Sequence, residues 1–345
     1  MTQRVYAVLL AGGEGKRLWP LSRSEKPKGF LRIADHKPLI SCAIDGLRGF
    51  VDKKHTLIVI NKSQKSLLKG LAKGIPDKNI LLEPLKKNTA AAVGLAATRL
   101  SADDIMVVLP TDAIIKNRSA FLSAIKRAVS FVAKQKDAIC CVGIKPREAK
   151  TGYGYIKLGF EKAKGVYLAG KFIEKPSREK AEEMLRKGNF LWNAGMFVMK
   201  AETILSSMRK YAPRLYRALM AIKVGGNIAR AYSLMKNVSI DYQVMERAKN
   251  LYCVKGNFCW NDLGSWLSVA DMEGAPRDKK GNFCFGPVKH EHTSRSIMYN
   301  ATKDTMLVSG LRNMIAVHAS GKTLICDKKD AENVKEIATF FTDKA

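Results

Sequence analysis

Residues 10–30 read LAGGEGKRLWPLSRSEKPKGF, and the stretch that leads into them, Val5-Tyr6-Ala7-Val8-Leu9-Leu10, is almost wholly apolar. A short apolar run ending at Gly12, Gly13 and Gly15 is the pattern of a buried strand that feeds a glycine-rich loop. Glycines carry no Cβ, so the backbone N–H groups of such a loop can come close to phosphate oxygens. Arg17 and Lys28 follow within a few residues and supply cations to neutralise phosphate charge. Two familiar phosphate motifs are absent. No Gly-Lys-Ser/Thr ends the loop as in a P-loop, and Gly-Gly-Glu-Gly-Lys does not fit the dinucleotide fingerprint G-x-G-x-x-G.

Outward from this stretch, further apolar runs recur at Leu57–Ile60, Ile105–Leu109 and Ala138–Ile144, with helix-like segments over Thr89–Leu100 and Ala120–Ala133. Buried strands alternating with helices predict an α/β fold, a doubly wound, Rossmann-like domain with a mostly parallel sheet and ligands at the carboxyl ends of its strands. The pattern changes after about Gly274. Four apolar tetrads, Ser296–Tyr299, Thr305–Val308, Met314–Val317 and Thr323–Cys326, are separated by polar or glycine-containing turns, and a last helix is expected over Ala331–Phe341. Evenly spaced short strands predict a small β domain. The expected division is a catalytic domain over 1–275 and a C-terminal β domain over 281–345.

A chain of 345 residues can bury a substantial core. No apolar run is long enough to cross a bilayer, and the N-terminal run reads as a core strand and not as a signal peptide. The seven cysteines form no Cys-x-x-Cys pair and are odd in number, which predicts a reduced, cytoplasmic protein without membrane partners. Sixty lysines and arginines against 31 acidic residues give a net charge of +29. That balance raises nucleic acid as a partner. The cations are spread along the whole length with no arginine-rich tail, so attraction of polyphosphate substrates explains the charge without nucleic-acid binding.

The 10–30 stretch resembles the signature of the sugar-1-phosphate nucleotidylyltransferases, in the form carried by the mannose-1-phosphate guanylyltransferases. Their pattern L-A-G-G-x-G-x-R-L-x-P-L-S-R continues to P-K-x-F, and every fixed position is matched here. The resemblance implies transfer of GMP from GTP to mannose 1-phosphate, with release of pyrophosphate. A phosphate oxygen is the nucleophile and is already anionic, so the chemistry asks for alignment and charge neutralisation and not for a strong base. It implies that Leu10, Ala11, Gly12, Gly13 and Gly15 bind the nucleotide, that Arg17 holds the β- and γ-phosphates, and that Lys28 stabilises charge at the α-phosphate. The five histidines (36, 55, 290, 292, 318) suggest no Ser-His-Asp set, and His290 and His292 read as surface residues and not as a metal pair.

Two aspartates are the metal candidates for Mg²⁺ or Mn²⁺. Asp112, in Leu109-Pro110-Thr111-Asp112, ends a strand; the family's following histidine is Ala113 here. Asp262 lies in Trp260-Asn261-Asp262-Leu263-Gly264-Ser265-Trp266, which matches W-x-D-x-G-S-W, with a turn aspartate as the alternative reading. Phe172-Ile173-Glu174-Lys175-Pro176 resembles F-x-E-K-P, implying Lys175 on the sugar phosphate and Glu174 on sugar hydroxyls. Gly154, in Thr151–Ile156, and Asn193, in Trp192–Phe197, match the family's sugar-binding segments. Asp241, in Ser239-Ile240-Asp241-Tyr242, would complete that pocket or cap a helix.

Base choice follows from Glu83-Pro84-Leu85-Lys86-Lys87-Asn88-Thr89-Ala90, which resembles E-P-x-x-R-N-T-A. A carboxylate at Glu83 can accept from both N1–H and the N2 amino group of guanine, a donor pair that uracil, thymine and adenine lack. Asn88 and Thr89 belong to the same nucleotide segment. Lys87 replaces the usual arginine and loses its bidentate fork. The resemblance further implies a left-handed β-helix-like C-terminal domain and a homodimer, and with the sequence ending at 345 the extra isomerase domain of longer bifunctional relatives is not expected. Another sugar 1-phosphate (a manno-heptose or glucose) as acceptor, or a non-catalytic regulatory subunit of the same fold, remain the alternatives.

Overall fold

The computed structural model describes residues 3–33 and 37–342, and its contacts divide into two compact units. The first comprises Met1–Gly12, Ala43–Thr111 and Ile115–Trp260; the second comprises Gly13–Cys42, Asp112–Ile114 and Asn261–Ala345. This division does not follow the linear split expected at 275–281, because most of the signature stretch clusters with the C-terminal part of the chain.

The first unit is built on a nine-stranded sheet. Its strands are β1 (Val5–Leu10), β2 (Thr56–Asn61), β3 (Ile80–Glu83), β4 (Ile105–Pro110), β5 (Ile139–Ile144), β6 (Tyr155–Ala163), β7 (Val166–Ile173), β8 (Phe190–Lys200) and β9 (Leu251–Gly256). The order across the sheet is β3-β2-β1-β4-β8-β5-β9-β7-β6, with β6 also pairing with β8. Strands β1 to β4 are mutually parallel, as is the β5–β9 pair. Strand β8, however, runs antiparallel between β4 and β5, and β6 and β7 form an antiparallel hairpin. The sheet is therefore mixed, and the expectation of a mostly parallel one holds only for its N-terminal half. The sequence hid this: Phe190–Lys200 is as continuously buried as the parallel strands, so its side chains carry no mark of direction.

Strands β2 and β5 are buried at every position, which requires cover on both faces. Alternation divides each strand between them: Val8, Met106 and Val108 join a core cluster with α1 (Asn88–Ala97) and the later helices α4 (Ala201–Tyr211) and α5 (Pro213–Lys223), while α2 (Arg118–Lys134) packs against β5, β8 and β9. Helix α3 (Arg178–Lys187) begins at a Ser177 cap, and α6 (Ile228–Ser233) follows α5 after a Gly225-Gly226 turn. Helix α1 is rich in small residues because α5 lies against it. A Cβ on Gly94 would stand 2.3 Å from a methyl of Leu219.

The second unit is the small β domain together with the glycine-loop segment. Its strands are β10 (Phe283–Phe285), β11 (Val288–Glu291), β12 (Ile297–Asn300), β13 (Met306–Ser309), β14 (Met314–Ala319) and β15 (Lys322–Asp327). The four tetrads read from the sequence fall on β12 to β15. Parallel pairs β12–β14 and β11–β13 set Ile297 beside Ile315 and Val288 beside Met306, so the chain climbs by one coil every 18 residues. A closing antiparallel strand, β15, ends the stack. Asn282 and Asn300 occupy equivalent corners: Asn282 bonds Asp278, the Thr293 carbonyl and the Ser296 N–H, and Asn300 bonds the Pro287 and Asp304 carbonyls. The core of this unit gathers Ile297, Tyr299, Ile315 and Val317 with Leu18, Trp19, Leu31 and the buried Trp266, whose indole donates to the Trp19 carbonyl at 3.0 Å. Helix α7 (Trp266–Ala270) and the final helix α8 (Val334–Thr342) complete it. Among the described residues no helix is long and apolar enough to cross a membrane.

Candidate active site

In the first unit, the carboxyl ends of β1, β2 and β3 carry Leu10, Asn61 and Glu83. Ala11 continues the strand, donating to the Val59 carbonyl at 2.8 Å. Glu83 is only 6% exposed, and burial pushes its carboxyl from an ordinary 4.5 up to about 7, although the Tyr232 hydroxyl, donating to Oε1 at 3.3 Å, works the other way. The fully buried Tyr232 lies on α6, distant in sequence, and no motif marked it. A Cβ on Gly12 would stand 3.4 Å from Glu83 Oε2, so the first glycine of the loop keeps the space beside this carboxylate open. Asn88 starts α1 with a positive φ of 66°, its side chain accepting from Thr89 N–H; the Thr89 hydroxyl in turn accepts from Ile240 N–H at 2.9 Å. Thr89 thereby ties the start of α1 to the segment that carries Asp241.

A second cluster in the same unit unites all five residues expected to bind the sugar phosphate. Glu174 follows β7 with its side chain 8% exposed; Oε1 accepts from Lys175 Nζ at 2.7 Å, while the buried Oε2 has no protein partner. A Cβ on Gly154 would fall 2.4 Å from that Oε2 and 3.2 Å from Asn193 Cβ, so any larger residue would push the Glu174 carboxylate from its place. Asn193 Nδ2 donates to Asp241 Oδ1 at 2.9 Å. Burial, reinforced by the neighbouring Glu174, raises the Asp241 carboxyl to about 6. Lys175 is raised as well: burial opposes its charge, but the hydrogen bond and attraction of Glu174 outweigh that. Glu246, which sequence reasoning missed, accepts from Glu174 N–H at 2.9 Å and fixes the turn. A buried carboxylate with an unused oxygen, a primary amide and an ammonium group in one place suit a polyhydroxylated, anionic ligand.

The second unit holds Gly13 and Gly15 and the cations that follow them. Gly15 has φ 66°, and a Cβ there would lie 2.3 Å from Lys28 Cβ, so this glycine lets the lysine pass behind the loop. Lys28 is 5% exposed; its Nζ donates to Asp112 Oδ2 at 2.9 Å and to the main-chain carbonyl of Asp262. Both metal candidates thus meet at one ammonium. Asp262 also takes the turn role anticipated as its alternative, Oδ1 accepting from Gly264 N–H at 3.0 Å. Arg17, on the short turn Lys16–Leu18, is ion-paired with Glu332 just ahead of α8. The arginine expected to hold phosphate is therefore met by a carboxylate of the protein's own.

The fit of a divalent cation can be judged from the donors. Asp112 and Asp262 supply hard carboxylate oxygens, and among the described residues no group of three His, Cys, Asp or Glu side chains could hold a metal ion. One or two carboxylates completed by phosphate oxygens and water is the manner in which Mg²⁺ is bound at phosphate-transfer sites. His290 pairs with Asp278 at 3.2 Å and His318 with the Thr323 hydroxyl, consistent with structural roles; His36 lies outside the described residues. All seven cysteines are free thiols, and burial pushes those of Cys140 and Cys141 well up.

Residues 6–278 match the family model described as nucleotidyl transferase. A mannose-1-phosphate guanylyltransferase of Klebsiella pneumoniae is 32% identical over 349 residues, covering 96% of this chain and 73% of the relative. The alginate biosynthesis protein AlgA of Pseudomonas aeruginosa is 32% identical over 345 residues, covering 96% and 70%. Among solved structures, one from Thermus thermophilus described as a mannose-1-phosphate geranyltransferase superposes with a TM-score of 0.87 at 29% identity, covering 99% of this chain and all of that one.

Proposed function

The chain belongs to the nucleotidyl transferase family, and on that premise we propose that it transfers GMP from GTP to mannose 1-phosphate, releasing pyrophosphate. The observation that carries the reading is Lys28: a buried ammonium on the glycine-loop segment, held by the Asp112 carboxylate and the Asp262 main-chain carbonyl, suited to stabilising charge that develops on a phosphoryl group. Glu83 would accept from the N1–H and N2 amino donors of guanine with its carboxylate ionised. Glu174, Asn193 and Asp241 would bind the mannose hydroxyls, and Lys175 the sugar phosphate. Arg17 would exchange Glu332 for the β- and γ-phosphates. Asp112 and Asp262 would hold Mg²⁺ or Mn²⁺, which when bound neutralises phosphate charge. A phosphate oxygen of mannose 1-phosphate attacks the α-phosphorus of GTP in line; the P–O bond to the β-phosphate breaks, and pyrophosphate leaves with the electron pair. Lys28 keeps its proton and stabilises the charge on the α-phosphoryl oxygens as the bond changes. A left-handed sense for the 18-residue coil, a homodimeric assembly and a cytoplasmic location belong to the same reading.

Labelled GTP tests it. Label at the α-phosphorus should appear in the nucleotide sugar, and label at the γ-phosphorus in pyrophosphate. Appearance of the γ label on the sugar would replace nucleotidyl transfer by phosphoryl transfer.

A further inference from the structure

Helices α5 and α6 in the first unit, with the turn between them, line an open cleft of about 660 Å³ that plays no part in the base or sugar clusters. Arg214, Arg217 and Ala218 share one face of α5, spaced three and four residues apart, and Arg230, Ala231 and Leu234 line the opposite wall. No side-chain hydrogen bond or ion pair engages any of the three guanidinium groups among the described residues, and no carboxylate lines the cleft.

Two features separate this cleft from the general basicity of the surface. The first is residue choice. The chain contains 19 arginines and 41 lysines, yet three arginines and no lysine line the cleft. Lysine suffices for solubility and long-range attraction, whereas the planar guanidinium fork adds bidentate binding of phosphate and stacking on flat rings. The second is the apolar part of both walls. Ala218, Ala231 and Leu234 are apolar, and Leu234 is left 69% exposed beside the charges. Three uncompensated cations beside apolar wall residues, in a volume within the usual range for small-molecule sites, match a ligand with an anionic end and an apolar or flat body.

We propose that this cleft is a second binding site, for a phosphate-bearing small molecule with a flat body, such as a nucleoside phosphate. It is distinct from the base cluster. Tyr232, between Arg230 and Leu234 in sequence, turns to Glu83, while its neighbours face the cleft. The site stands independently of the transferase reading, since none of its residues takes part in that chemistry.

ADP is the probe of choice, because adenine lacks the donor pair assigned to Glu83. Calorimetric titration of the full chain should show ADP binding that weakens with salt. R214Q/R217Q/R230Q should weaken it by roughly tenfold or more, and the matching triple change to lysine, which keeps charge but not the fork, should recover only part. E83Q should leave it unchanged. These arginines are exposed, so the melting temperature should hold; if the triple variant does not fold, Arg230→Gln alone carries the same comparison. No detectable ADP binding, binding untouched by the arginine substitutions, or binding abolished by E83Q would each overturn the proposal.

Discussion

Glu83 is the residue whose chemistry can be followed most closely. Burial raises its carboxyl to about 7, whereas the guanine recognition proposed for it needs the ionised form. GTP affinity should therefore fall as pH drops through about 7, and binding below that pH should release a proton, measurable by calorimetry in buffers of different ionisation enthalpy. Glu83→Gln should weaken GTP binding and flatten the pH dependence; an unchanged pH profile would remove Glu83 from base recognition. The sign for stability is opposite. Folding raises this carboxyl's pKa from 4.5, so its contribution to stability is present in full below that value and is lost as pH rises through about 7. The stability of Glu83→Gln relative to the parent should therefore improve from about pH 5 to about pH 8. Lys28→Ala should lower turnover by roughly 100-fold or more, with a much smaller effect on substrate affinity. Glu332→Gln should free Arg17 and lower the KM for GTP by roughly two- to fivefold, the range of an exposed pair, without changing kcat; a higher KM would mean that Glu332 holds Arg17 in its working position. Motif residues were legible at this scale because their chemistry shows in residue type. Their partners Tyr232, Glu246 and Glu332 were not, since each acts through a contact made far along the chain.

At the scale of elements, the tetrad spacing foretold four strands, and the structure shows why the first three are evenly spaced: each supplies one strand to a half of the 18-residue coil, while the fourth is the antiparallel closing strand. The two strands before them, β10 and β11, were missed. β10 has three residues and β11 reads Val-Lys-His-Glu, too short or too polar to show a period. The turn before β11 illustrates how the coil is held. Gly286 has φ 78°, and a Cβ there would lie 2.0 Å from the Asn300 carbonyl oxygen. Gly286→Ala should destabilise the protein by roughly 2–4 kcal/mol, seen as a lowered melting temperature with altered β-unit spectra; an unaltered melting temperature would contradict this packing. In the large sheet, apolar runs announced β1, β2, β4 and β5 and the helices α1 and α2, but not the parallel strands β3 and β9. Strand direction was not written in the runs, so the antiparallel β8 could be recognised only from its register with β4 and β5.

For the whole molecule, the residues that the proposed reading assigns to the base and the sugar hydroxyls and those that it assigns to the α-, β- and γ-phosphates belong to different compact units. Glu83, Glu174, Asn193 and Asp241 lie in the first; Arg17, Lys28, Asp112 and Asp262 lie in the second. The sequence suggested a catalytic domain followed by an appendage, because linear order is all a sequence displays. The packing of Leu18, Trp19 and Leu31 with Trp266, Tyr299 and Val317 instead makes the segment that follows the glycine loop part of the β unit's own core. Burial of so many large apolar groups makes that association a stable one. Substitutions in the first unit should consequently alter substrate choice and KM, and those around Lys28 should alter turnover. The most direct measurement is pyrophosphate release by the full chain with Mg²⁺, across the four nucleoside triphosphates and a panel of sugar 1-phosphates. Release confined to GTP with mannose 1-phosphate, and suppressed by Lys28→Ala, is the predicted result. Folded protein that releases no pyrophosphate with any pair, or that prefers another nucleotide, would contradict the assignment.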